Sequence, residues 1–225
     1  MTAATKSTNW SFFAIVAAAF IVSYIPIINI PFTWITTFFH EVSHGLAAIF
    51  TGGSVDKIHL HLNGSGLCYT QGGNSFLVAL SGYIGAVLWG MLLFSMADLL
   101  NHKSTNIVAM FLAALIGITA LLWGRDILTW IILAVLLALF ISIVKLQETR
   151  VVKLSLKFIG IFVLLDAIKA PLNLIDGRHY GDGARLSDLT GIPELLWVLV
   201  WLVFGLLGAC FLWKRNKGKS YSTMA

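Results

Sequence analysis

Residues 39–53 of the chain read FHEVSHGLAAIFTGG, a largely apolar run that contains two histidines and one glutamate. His40 and His44 are four positions apart, so on a helix both imidazoles lie on one face, one turn apart. Two imidazoles in this arrangement can share a zinc ion at about 2.0–2.1 Å. Glu41 projects about 100° round the helix, where its carboxylate can reach a water on the metal and act as a general base. The segment therefore predicts a zinc site with Glu41 as the catalytic residue.

The composition around this segment is that of a membrane protein. The chain of 225 residues is 58% hydrophobic and 11% charged, with a mean hydropathy of +0.88, which is too apolar for one water-soluble core. Several apolar stretches approach the roughly 20 residues that cross a bilayer. We therefore expect an all-α polytopic membrane protein with about six or seven transmembrane helices. The predicted spans are 10–30, 32–51, 75–98, 106–123, 126–145, 155–175 and 192–213.

A short segment after the histidines has a different periodicity. Between Gly52 and Gly73 apolar and polar residues alternate on either side of Asn63-Gly64, a dipeptide typical of tight turns. This pattern predicts a small β-hairpin at about 54–72.

A catalytic zinc takes three protein ligands and keeps one position open, so the third ligand must come from elsewhere in the chain. Four aspartates lie in or near the polar region before the last apolar span: Asp166, Asp176, Asp182 and Asp188. Asp166 is three residues before Lys169, so the two can neutralise each other on one helical face. The residues alone leave the choice among these aspartates open.

The segment FHEVSHGLAAIFTGG, the hairpin and SGYIGAVLWG at 81–90 together resemble the site-2 protease family of intramembrane metallopeptidases, in particular its compact bacterial branch. The resemblance implies that His40 and His44 bind zinc, that Glu41 is catalytic, and that an Asp-Gly step supplies the third ligand. The run GDGARLSDLTGIPELLW at 181–197 is similar to the family's segment before the final helix and favours Asp182, with Asp176 as the alternative. The implied activity is hydrolysis of peptide bonds in transmembrane or membrane-associated proteins, with one Zn²⁺ per chain.

The resemblance also gives the hairpin a role. Its edge around Ile58, Leu60 and Leu62 can pair with a substrate segment that has unwound from its helix. The alternative function is a non-catalytic zinc-binding membrane protein, such as a sensor, a scaffold or a transport site. Replacing Glu41 by Gln separates the two, because an enzyme would keep zinc and lose turnover.

The net charge of +5 comes from basic residues that cluster beside apolar spans. Such clusters set the orientation of membrane segments more often than they bind nucleic acid, so no nucleic-acid partner is expected. We expect one transmembrane domain at 1–213, a basic, disordered cytoplasmic tail at 214–225, and a bacterial cytoplasmic (inner) membrane location with the C-terminus inside. The clusters are Lys145, Arg150, Lys153 and Lys157, then Lys214, Arg215, Lys217 and Lys219.

Overall fold

The computed structural model describes residues 10–99, 102–145 and 148–222 of the chain. Helices dominate it, and the described residues also form one two-stranded antiparallel sheet, as the sequence predicted. In chain order the elements are α1 (Trp10–Val22), α2 (Pro26–Phe50), β1 (Ser54–Leu60), β2 (Gly66–Gln71), α3 (Ser75–Leu99), α4 (His102–Trp123), α5 (Ile127–Lys145), α6 (Thr149–Lys169), a 3-10 helix (Ala170–Leu174), α7 (Asp182–Thr190) and α8 (Glu194–Ser222).

The first helix break lies earlier than predicted. The spans 10–30 and 32–51 assumed a break at Pro31, but Pro31 lies inside α2. The chain turns instead before Pro26, where Ile25 is extended because a following proline disfavours the helical conformation. Pro26 then occupies the first turn of α2, where its missing N–H costs no intrahelical hydrogen bond. As a result α1 and α2 meet at an angle of 107°.

Length and composition identify three described helices that can cross a membrane, at Ser75–Ala97, Ile127–Lys145 and Glu194–Asn216. The bent pair of α1 and α2 adds a fourth if it counts as one span. These helices fit an integral membrane protein, but the predicted number of six or seven crossings is not confirmed. Helix α8 continues to Ser222 and so runs into the segment 214–225. The division into one domain and a basic cytoplasmic tail stays a prediction.

Helices α2, α3 and α6 form the centre of the packing. A Cβ atom on Gly90 of α3 would lie 2.7 Å from the carbonyl oxygen of Gly160 of α6, and the reverse contact is the same length, so only glycine permits this close crossing. Phe39 of α2 is fully buried and stacks on Trp89 of α3, with ring centroids 4.9 Å apart. The first contact joins α3 to α6, and the second holds α2, which carries both histidines, against α3.

The hairpin is fixed by its first strand. Ile58 pairs with Gly124 in an isolated parallel bridge, and the backbone N–H of Leu60 donates to Oγ1 of Thr129 at 2.9 Å. Strand β1 therefore lies between β2 and the connection from α4 to α5. This leaves β2 as the strand that faces the histidines.

Candidate metal centre

Helices α2 and α7 bring three side chains together that are far apart in the sequence. Nε2 of His40 lies 3.0 Å from Nε2 of His44 and 3.0 Å from Oδ2 of Asp182. Nε2 of His44 lies 3.3 Å from the same carboxylate oxygen. The structure thus brings together both histidines and the aspartate that the family resemblance favoured.

Asp182 reaches the histidines because α7 begins at that residue. Gly181 before it has a φ of +95°, which a residue with a side chain rarely adopts. This turn directs Asp182, the first residue of α7, towards α2. Leu186 is fully buried and packs in one cluster with Trp201 of α8, which fixes the short helix. Burial disfavours charge on Asp182, but the His44 imidazole and hydrogen bonds to both histidines hold the pKa of Asp182 well below its usual range.

A backbone contact orients His44. Its Nδ1–H donates to the carbonyl oxygen of Val78 in α3 at 2.7 Å, which directs Nε2 towards His40 and Asp182. Metal-ligating histidines characteristically donate their second ring N–H in this way. Four residues further along α3, a Cβ atom on Gly82 would lie 2.5 Å from Nε2 of His44 and 2.6 Å from Nε2 of His40.

The three side chains fit a zinc ion. Ligand atoms of a tetrahedral site with bonds of about 2.0–2.1 Å lie roughly 3.3 Å apart, close to the separations of 3.0, 3.0 and 3.3 Å found here. Two imidazole nitrogens and a carboxylate oxygen that converge this closely repel one another unless a proton or a cation lies between them. Within the described residues these are the histidine, cysteine and acidic side chains that group in this way.

Glu41 lies beside the three candidate ligands and is 4% exposed. Strand β2 packs directly on it: a Cβ atom on Gly66 would lie 2.7 Å from Oε1 of Glu41, and the backbone N–H of Cys68 faces the carboxylate. The hairpin therefore confines the carboxylate to the neighbourhood of the histidines without making it part of the ligand group.

Two cavities open onto this centre. The larger, of about 540 Å³, lies between β2, the start of α3 and α7, and Asp182 is part of its wall. The smaller, of about 220 Å³, lies between the hairpin turn, α2 and α6. Four residues line both cavities and so form the boundary between them: His40, Glu41, Gly66 and Tyr83.

The other candidate aspartates lie elsewhere. Asp176 is paired with Arg178, whose backbone N–H and Nε–H donate to it at 2.8 and 2.7 Å, and these hydrogen bonds lower the pKa of Asp176. Asp188 accepts a hydrogen bond from His179 at 2.8 Å. Asp166 lines the smaller cavity. The alternative third ligand Asp176 is therefore not part of the three-residue cluster.

Two of the three residues of the predicted substrate edge are buried. Ile58 and Leu60 are 0% and 1% exposed, and the outer edge of β1 is already paired with the connection from α4 to α5. Leu62 lies beyond β1 and is exposed. Of the two strands, β2 lines the larger cavity, through residues that include Leu67 and Thr70.

Two residues of the centre were not singled out from the sequence, namely Gly66 and Tyr83. Tyr83 belongs to the segment SGYIGAVLWG, which had carried the family resemblance without a role for this residue. The glycines of this segment were the signal available in the sequence, because glycines inside a membrane helix indicate that another element packs closely against it.

Comparison with known protein families finds a match. A family model described as Peptidase M50B-like matches residues 12–213. No curated protein and no solved structure matches the chain.

Proposed function

The chain belongs to the Peptidase M50B-like family, a site-2 protease-like group, and on this basis we propose that it is an intramembrane zinc metallopeptidase that hydrolyses peptide bonds of membrane-associated proteins. The observation that carries the proposal is the convergence of His40, His44 and Asp182, with Glu41 buried beside them and two cavities leading to them.

His40, His44 and Asp182 would hold the zinc ion. Zinc supplies Lewis-acid chemistry at such a site: it lowers the pKa of water towards 7 and polarises a carbonyl group. The chain contributes a fixed geometry, because the Val78 carbonyl fixes the ring of His44 and Gly181 sets the start of α7.

Glu41 would move the proton. During hydrolysis the water oxygen bonds to the carbonyl carbon, the carbon–nitrogen bond breaks, and one proton passes from water to the leaving nitrogen. We assign both transfers to the Glu41 carboxylate, which takes the proton and returns it. Glu41 lines both cavities, and this position supports the role, because water or substrate in either cavity can reach its carboxylate.

The substrate would bind as an extended strand along β2. One edge of β2 pairs with β1, and the other edge has no partner strand among the described residues. Residues Gly66, Leu67, Cys68 and Thr70 of β2 line the cavity that holds Asp182. A segment unwound from its helix would add a strand at the other edge, with backbone hydrogen bonds replacing those of the helix. This proposal moves the pairing edge from β1 to β2.

We place the enzyme in a bacterial cytoplasmic membrane with its C-terminus inside. Lys214 and Arg215 follow the apolar part of α8, and basic residues next to a span favour the cytoplasmic side.

The test is Glu41→Gln, with Glu148→Gln as the matched control. Glu148 is exposed and precedes α6, so its replacement changes the same charge away from the centre. Wild type and both variants are purified in detergent and assayed for zinc per chain and for cleavage of a reporter polypeptide with one apolar helix interrupted by a glycine pair.

We expect Glu41→Gln to keep zinc and to lose about 10²-fold or more in cleavage rate, because it cannot accept the proton. Glu148→Gln should resemble the wild type in both measurements. Cleavage by Glu41→Gln at the wild-type rate would show that Glu41 is not the base. A wild type that binds zinc but cleaves nothing would favour the non-catalytic alternative.

A further inference from the structure

Peptide hydrolysis places negative charge on the carbonyl oxygen of the bond being cut. Hydrogen-bond donors fixed near that oxygen lower the barrier, and removal of one such donor characteristically costs about 10²–10³-fold in kcat. A donor suited to this task lies where the reacting groups meet, is held rigidly, and has no partner in the resting protein.

Tyr83 has the required position. Together with His40, Glu41 and Gly66 it lines both cavities, so its side chain lies at the boundary between them rather than at an outer rim. Among these four residues Tyr83 is the one with a hydroxyl group.

The ring of Tyr83 is held on two sides. It packs edge-to-face on the ring of His40, with centroids 4.5 Å apart, and against Trp201 of α8, with centroids 4.7 Å apart. Trp201 is 1% exposed, and its Nε1–H donates to the carbonyl of Leu80 at 3.2 Å. The tyrosine is therefore fixed between a candidate metal ligand and a buried anchor, which meets the requirement for a preorganised donor.

The hydroxyl of Tyr83 is uncommitted. It makes no hydrogen bond to any of the described residues, and the half-buried side chain lines both cavities, where a substrate can reach it. A tyrosine hydroxyl beside packed side chains usually has a hydrogen-bond partner. An acceptor supplied by the substrate would provide this partner.

We infer that Tyr83 is a catalytic residue whose hydroxyl donates a hydrogen bond to the carbonyl oxygen of the scissile peptide as negative charge develops there. The inference rests on the proposed function. When the water oxygen bonds to the carbonyl carbon, the electron pair of the C=O bond moves to oxygen, which accepts the Tyr83 hydrogen bond. The double bond then re-forms, the carbon–nitrogen bond breaks, and the nitrogen takes the proton carried by Glu41. Tyr83 keeps its own proton throughout.

The experiment compares Tyr83→Phe with Tyr24→Phe. Phenylalanine keeps the ring that packs on His40 and Trp201 and removes only the hydroxyl. Tyr24 lies in the turn between α1 and α2, lines neither cavity and has 66% of its surface exposed, so it takes no part in the proposed reaction. Each protein is measured for zinc per chain, for kcat and KM on the reporter polypeptide, and for inhibition by a phosphinic peptide whose tetrahedral oxygens resemble the oxyanion.

Tyr83→Phe should keep wild-type zinc and KM, lose about 10²–10³-fold in kcat, and bind the phosphinic peptide more weakly by a similar factor. Tyr24→Phe should change each value less than about threefold. An active Tyr83→Phe with unchanged kcat overturns the inference alone. A loss of zinc, or a rise in KM without a matching loss of phosphinate affinity, also overturns the inference, because either result indicates a structural role. A wild type that neither binds zinc nor cleaves overturns the proposed function, and the inference with it.

Discussion

Gly82 lies on α3 directly against both histidine rings. A Cβ atom there would be 2.5 Å from Nε2 of His44 and from Cε1 of His40, which is closer than real carbon atoms approach. Because α3 is packed tightly on α2, the rings rather than the helices would have to move. Gly82→Ala should therefore weaken zinc binding by at least about tenfold, the effect typical of disturbing the groups that orient metal ligands.

Gly117→Ala is the matched control for this prediction. Gly117 also lies inside an apolar helix, but a Cβ atom there meets nothing within 4 Å. Competition with a chromogenic chelator measures both affinities. Equal zinc affinity in Gly82→Ala and Gly117→Ala would contradict the close approach of α3 to the histidines.

The sequence predicted those parts of the centre that depend on local periodicity or on a motif. His40, Glu41 and His44 follow from helical spacing, and Asp182 from its resemblance to an Asp-Gly step. Tyr83 could not be found in this way, because its importance comes from the packing of α3 between α2 and α8. Spacing within one segment carries no information about which other segment will face it.

The attachment of the hairpin to α5 depends on Thr129. Its Oγ1–H donates to Oδ2 of Asp126 at 2.6 Å and accepts the backbone N–H of Leu60 at 2.9 Å, while Asp126 also caps α5 by accepting the N–H of Thr129. Thr129→Val would leave the buried Leu60 N–H without its acceptor. We expect the free energy of unfolding in mixed micelles to fall by about 1–3 kcal/mol.

Thr119→Val provides the comparison. Thr119 is as fully buried as Thr129, but its hydroxyl has no hydrogen-bond partner among the described residues. Replacing it by the isosteric valine should leave stability unchanged or slightly increased. If denaturant titration gives the same loss for both variants, the contact from Thr129 to β1 does not stabilise the hairpin.

Several element boundaries were predictable only in outline. Helix α2 begins at Pro26 rather than after Pro31, because a proline is tolerated in a helix when the surrounding packing retains it. Helix α7 was missed because nine mostly polar residues give little hydrophobic signal, although Gly181 before it and Gly191 after it, both with positive φ, mark its ends. The substrate edge was predicted on β1 because a sequence does not indicate which of two strands another part of the chain will cover.

Across the whole molecule, the candidate centre joins residues 142 positions apart, His40 of α2 and Asp182 of α7. The intervening helices are what make this possible: α3 packs between α2 and α8, and α7 is anchored on α8 through Leu186 and Trp201. We propose that this arrangement is a zinc site in which Asp182 completes the ligand set.

The most direct test is the zinc content per chain of the purified wild type beside Asp182→Ala and Asp176→Ala. Both changes remove one carboxylate from the same polar segment, but Asp176 is exposed and paired with Arg178. We expect about one zinc per chain in the wild type and in Asp176→Ala, and a marked loss in Asp182→Ala. A zinc-free wild type after supplementation, or full zinc in Asp182→Ala, would contradict this proposal.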